Sequence, residues 1–95
     1  MDIRRVFYSG HAVRQMFERS IAVDEVGTVI AQGELIKSYP DDRPYPSQLY
    51  LGVVRGRPIH VLLAYDIDTR TGYVVTAYIP NRSLWSDDFR TRRRP

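Results

Sequence analysis

Three β-rich runs, "SQLYLGVV", "PIHVLLAY" and "GYVVTAYI", follow one another between Ser47 and Ile79, joined only by the turn segments "RGR" and "DIDTRTG". Connections this short leave no room for a crossover, so consecutive strands must lie antiparallel, as a meander. Side chains alternate across a sheet, and the register therefore decides which residues meet. A three-residue Arg55-Gly56-Arg57 loop sets Val53 opposite Ile59, Leu51 opposite Val61 and Leu49 opposite Leu63. Pairing Tyr65 with Tyr73 extends this aliphatic face to Val75. The other face is mixed, with Gln48, Tyr50, Gly52, His60, Leu62, Thr76 and Tyr78, and His60 lies directly across from Tyr78.

An aliphatic sheet face needs a cover, and the N-terminal half supplies two helices. A short "VFY" run (Val6 to Tyr8) reads as a candidate first strand; then Ser9 stands where an N-cap is wanted, and the spacing predicts a helix from Gly10 to Arg19 with Val13, Met16 and Phe17 inward. A second helix starts near Val23, carries Val26, Val29 and Ile30 at helical spacing, and stops at Gly33. "ELIKSY" (Glu34 to Tyr39) reads as a strand and "PDDRPYP" as a loop. The expected fold is α+β: two N-terminal helices packed on an antiparallel sheet of three or four strands. One domain covers residues 1–95, with 86–95 as a loose basic tail or a short last helix.

Composition narrows the functional classes. Cysteine is absent, which removes disulfide scaffolds, thiolate metal sites and a cysteine nucleophile. The N-terminal "MDIRRVFYSGHAV" lacks the apolar core of a secretory leader, and no run approaches the roughly 18 apolar residues of a membrane span. The expectation is a cytoplasmic protein without a membrane partner. Net charge is +3, and thirteen of the fourteen basic residues are arginine, whose planar fork matches phosphate. That balance leans toward a nucleic-acid or acidic-protein partner.

Two clusters bear chemistry. In "SGHAVRQMFERSI", His11 sits at a helix start, where free N–H groups and the dipole favour an anion, and Arg14 follows one turn later. Together with Arg19 they offer an acid–base group and phosphate forks, while Glu18 orients a neighbour. The same spacing also describes a solvated helix face with local Arg14–Glu18 and Gln15–Arg19 contacts. His60 with Tyr78 is the second cluster: either a proton-transfer pair or a half-buried aromatic pair. Two histidines without HxH or HxxxH spacing match no common metal-ligand set, and no cofactor is expected.

The opening "FYSGHAVRQMFERSIAVDEVGTVIAQGELIKSYPDD" resembles the pattern F-S-x-H-A-x-x-R-M-x-E-R-x-I-x-x-x-E-V-x-x-x-I-x-x-G-x-x-I-x-x-Y-x-x-D of a bacterial domain-of-unknown-function family. "LGVVRGRPIHVLLAYD" and "VVTAYIPNRSLWSDDFRTRR" resemble its L-G-x-x-x-G-R-P-L-H-V-V and I-T-x-Y-x-P-x-x-x-x-W motifs. The likeness spans nearly the whole chain. It departs at Ser20, where glycine is usual, and at Phe17, where a charge is common. The family is grouped with small toxins of the RelE, ParE and BrnT kind, two helices followed by an antiparallel sheet, whose RelE-like and BrnT-like members cut RNA without a metal.

That resemblance implies a metal-independent endoribonuclease toxin acting on RNA and silenced by a cognate antitoxin. His11, Arg14 (one residue before the motif's arginine position, which Gln15 fills), Glu18 and Arg19 carry over from the first motif, His60 from the second, and Thr76, Tyr78 and Trp85 from the third. The expected catalytic set is His11, Arg14, Glu18, Arg19, His60 and Tyr78, with Arg82, Arg90, Arg92 and Arg93 on the RNA. A non-catalytic ParE-like protein-binding toxin and a plain RNA-binding module are the competing expectations.

Overall fold

The computed structural model describes residues 2–94. The chain runs β1 (Arg5–Tyr8), α1 (Gly10–Glu18), α2 (Val23–Gln32), β2 (Glu34–Tyr39), β3 (Ser47–Val54), β4 (Arg57–Asp66) and β5 (Thr71–Tyr78). All five strands form one sheet in the order β1-β5-β4-β3-β2. The β2–β5 meander is antiparallel, but β1 adds to the β5 edge in parallel, with Phe7 beside Tyr73. The expected antiparallel sheet of three or four strands is therefore corrected to a mixed sheet of five. The first strand read at Val6 to Tyr8 is present as β1, but its parallel pairing with the far end of the chain leaves no hairpin signature to read.

The register also differs from expectation. The β3–β4 turn has two residues, not three: Arg55 and Gly56 both take left-handed backbone, with φ of 53° and 78°, and Val54 pairs with Arg57. Two positive φ values match the twist of a tight hairpin. The one-residue slip turns β3 over. Tyr50 pairs with Val61 and Gly52 with Ile59, while Leu49 and Leu51 join Leu62 and His60 on the opposite face. A bulge follows on β5, where Leu62 faces Thr76 and Leu63 faces Val74, leaving Val75 extra. Val53 and Val75, both expected in the core, are exposed.

Both helices cover one face. Val26 and Val29 of α2 and Ala12 and Met16 of α1 close on Tyr50, Ile59, Val61, Leu63, Val74 and Ala77. Gly52 is what lets α2 approach β3: a Cβ there would lie 2.7 Å from the Val29 Cγ2 methyl. Ala12 and Met16, four apart, are the buried stripe of α1, so Val13 and Phe17 turn outward, the latter 85% exposed.

Glu25 pins the start of α2. It accepts the Ala22 N–H at 2.9 Å and pairs with Arg57 at 3.0 Å, with Arg55 at 3.6 Å. The Ala22 N–H holds its carboxyl below the usual range; burial opposes this, and Arg57 and Arg55 add to the lowering.

Candidate functional site

The first expected cluster divides. Ser9 caps α1 by accepting the Ala12 N–H at 3.1 Å, so His11 lies in the first turn as expected. His11, Arg14 and Glu18 are exposed, and none of their side chains has a hydrogen bond or ion pair among the described residues. Arg19 is committed elsewhere: its Nη1 donates to the Ala77 carbonyl at 2.8 Å and to the Thr76 hydroxyl at 3.2 Å. Thr76 in turn donates to Gln15 at 3.0 Å. β1 pairs only with residues 71–74, so Arg19 caps a carbonyl on the exposed end of β5 and ties α1 to it.

His60 and Tyr78 face each other as the register predicts, but the imidazole is completely buried. Nε2 lies 2.8 Å from the Phe89 carbonyl, which only accepts, so Nε2 carries the proton. Nδ1 is then free to accept from the Tyr78 hydroxyl at 3.2 Å. Trp85 meets the ring edge-on with centroids 4.4 Å apart. Burial pushes the His60 pKa down, partly offset by the Phe89 carbonyl, and burial raises that of Tyr78. This neutral, fully bonded histidine is a core group, out of reach of a substrate in solution.

The group that buries it is the expected tail. Residues 85–92 fold back as a strap: Trp85 bridges to Arg92, and Arg90 forks onto Glu34 at 2.8 to 3.0 Å. The expectation of a loose tail is corrected to an integral cover over the sheet. All four arginines expected on RNA serve it: Arg82 lies over the Phe89 ring, Arg92 over Trp85, and Arg93 bonds the Arg82 carbonyl and Asp87. Parity puts His60 on the strap side, while α1 covers the other face. The two expected clusters do not share a cleft.

What sequence reasoning missed lies beside the strap. The strap and the 40–46 loop leave part of this face uncovered, forming a cleft of about 580 Å³ lined by Leu62, Ala64, Tyr73, Val75, Pro44 and Tyr45, with Asp42, Arg43 and Ser47 at its polar end. Tyr45 stacks parallel to Tyr73 at 5.5 Å, and Phe7, 57% exposed, tilts against Tyr73 from β1 at 5.8 Å. Asp66 and then Tyr73 beside it raise the Tyr45 pKa. The row of three rings crosses the sheet toward its β1 edge, where only Ser9 separates β1 from α1, whose second residue is His11. A tyrosine between two prolines in "PDDRPYP" was the available signal, since prolines limit the conformations of the ring's backbone.

A small α+β domain with one closed and one half-open sheet face is the class the geometry defines. The chain belongs to the family described as Domain of unknown function (DUF4258), whose model matches residues 8–79. No curated protein and no solved structure matches it. Among the described residues, no helix is long and apolar enough to cross a membrane, and no three His, Asp or Glu side chains gather as a metal-binding group.

Proposed function

We propose that this protein is an RNA-cleaving toxin of the RelE or BrnT kind, held inactive by a cognate antitoxin, and that its RNA lies along the half-open face. The observation that carries this reading is the row Phe7–Tyr73–Tyr45, whose β1 member lies four residues before His11 in the chain; the side chains of His11 and Arg14 have no partner among the described residues. Phe7 is exposed and Tyr45 and Tyr73 are half-buried; accessible rings stack on unpaired bases of any sequence, and arginines without partners among the described residues are available for phosphates. Arg5 shares the Phe7 face of β1 by parity, and Arg43 lines the cleft; among the described residues neither side chain has a partner, as Arg14 has none.

In the proposed reaction His11 removes the ribose 2′-OH proton as the oxygen attacks the adjacent phosphorus. A 2′,3′-cyclic phosphate forms, the bond to the 5′-oxygen breaks, and that oxygen takes a proton from water. Arg14 balances the charge that builds on the phosphoryl oxygens. His60 and Tyr78 hold the strap rather than the substrate.

The test is induced expression with growth and RNA integrity followed together, then cleavage of a single-stranded RNA by the purified protein. His11→Ala should lower the cleavage rate roughly 10²–10⁴-fold without moving the melting temperature. A folded His11→Ala protein with full activity overturns the reading. Growth arrest with intact RNA favours the ParE-like alternative, which has its own support in Phe17 and Val13, exposed together on the outer side of α1.

A further inference from the structure

We propose that the cleft between the 40–46 loop and the half-open sheet face is a base pocket that selects guanine, a deepening that rests on the RNA-cleaving reading above. Its floor is apolar: Leu62 and Ala64 come from β4 and Val75 from β5. Tyr45 and Tyr73, stacked at 5.5 Å and parallel within 4°, make a ring wall. A volume of about 580 Å³ suits a nucleotide and falls in the range of small-molecule sites, roughly 300–1,000 Å³. Planar heterocycles bind such a surface by stacking and by shedding water, which a hydrated sugar or a bare phosphate cannot do.

The polar end supplies the selection. Asp42 Oδ2 accepts a hydrogen bond from the Ser47 hydroxyl, and Ser47 is itself buried, so the carboxylate is fixed in place. Its other oxygen, Oδ1, has no partner among the described residues. A carboxylate only accepts, and it is best matched by two donors side by side. Guanine presents that pair, N1–H and the 2-amino group, on one edge. Adenine and cytosine set an amino group beside an acceptor nitrogen, and uracil sets its N–H between two carbonyls. Asp42 therefore pairs fully with guanine and meets an acceptor in the others. Arg43, next in the chain, lines the same cleft and has no side-chain partner among the described residues, which leaves its guanidinium for the phosphate.

The probe is a mononucleotide, which cannot be cleaved, so binding is read apart from catalysis. GMP titrated into the labelled protein should give saturable amide shifts at Leu62, Ala64, Tyr73 and Val75, with an affinity roughly ten-fold or more above AMP, CMP and UMP. Asp42→Asn keeps an acceptor for Ser47 and should remove that preference while the melting temperature holds. Should Asp42→Asn fail to fold, Val75→Trp fills the cleft from an exposed position and should abolish the GMP shifts. Absent shifts, equal affinities for the four nucleotides, or a folded Asp42→Asn protein that still prefers GMP overturn the pocket. RNA cleavage by a protein blind to GMP removes the pocket and leaves the nuclease reading standing. Selective GMP binding by a protein that leaves RNA intact does the reverse.

Discussion

The two faces of the sheet are built on different terms. The helix side is closed by aliphatic side chains, with Val26, Ile59, Val61, Leu63 and Ala77 at or near zero exposure. The other side is roofed by short irregular segments, the strap and the 40–46 loop, whose hold is largely polar: His60 to the Phe89 carbonyl, Arg90 to Glu34, Ser47 to Asp42. Hydrophobic closure tolerates no opening. Polar segments can roof part of a face and leave a cleft between them, which is where binding residues are free to project.

The largest effect should come from the closed face. Val61→Asp puts an unpaired carboxylate where exposure is nil, a cost of several kcal/mol against a total stability of roughly 5–15 kcal/mol. Loss of cooperative melting is the expected result; a soluble variant with a sharp transition would mean the helices do not seal this face. Glu25→Ala comes next. It frees the Ala22 N–H and takes from Arg57 a buried partner, for a loss of about 2–3 kcal/mol in denaturant unfolding.

Truncation after Asp88 tests the other face. A loose tail would leave melting unchanged, but a strap that accepts from buried His60 and reaches Trp85 through Arg92 should cost about 1–2 kcal/mol. An unchanged transition returns residues 89–95 to the tail first expected. A smaller effect is pH-dependent. Burial lowers the His60 pKa, so the unfolded chain binds the proton more tightly, and stability should decline as pH falls below about 6.5. The lowered Glu25 carboxyl adds a second decline below about 4.5 by the same sign. A His60→Gln protein should lack the first step in a plot of melting temperature against pH, and retention of that step would assign it to another group.

How much of this was legible varies with the physics of each element. The Ser9 cap, the Gly33 stop of α2 and the His60–Tyr78 pair follow from local chemistry and alternation, and the structure has all three. The β3–β4 turn was misjudged because Arg57 extends β4 instead of lengthening the loop, and one residue of register reverses a whole strand. The Val75 bulge hides in an unbroken apolar run. Phe17 looked like a core residue at helical spacing, yet the narrow stripe of Ala12 and Met16 fills the helix contact with β5. The strap was unreadable from charge alone, since its arginines look like a solvated tail until Glu34, Asp87 and two rings are brought to them. At the candidate site, His11 and Arg14 stood out in sequence, whereas the cleft depends on a loop packed across two strands.

The claim that the half-open face is the working face is tested most directly by mapping a short single-stranded RNA onto the protein. A 2′-O-methyl oligonucleotide has no free nucleophile and stays intact while amide and side-chain shifts are recorded. Shifts should cluster at Phe7, Tyr45, Tyr73 and Val75 and reach His11 and Arg14. Shifts gathered instead on Arg82 and Arg90 to Arg93, or on Val13 and Phe17, or no saturable shifts at all, would contradict the claim.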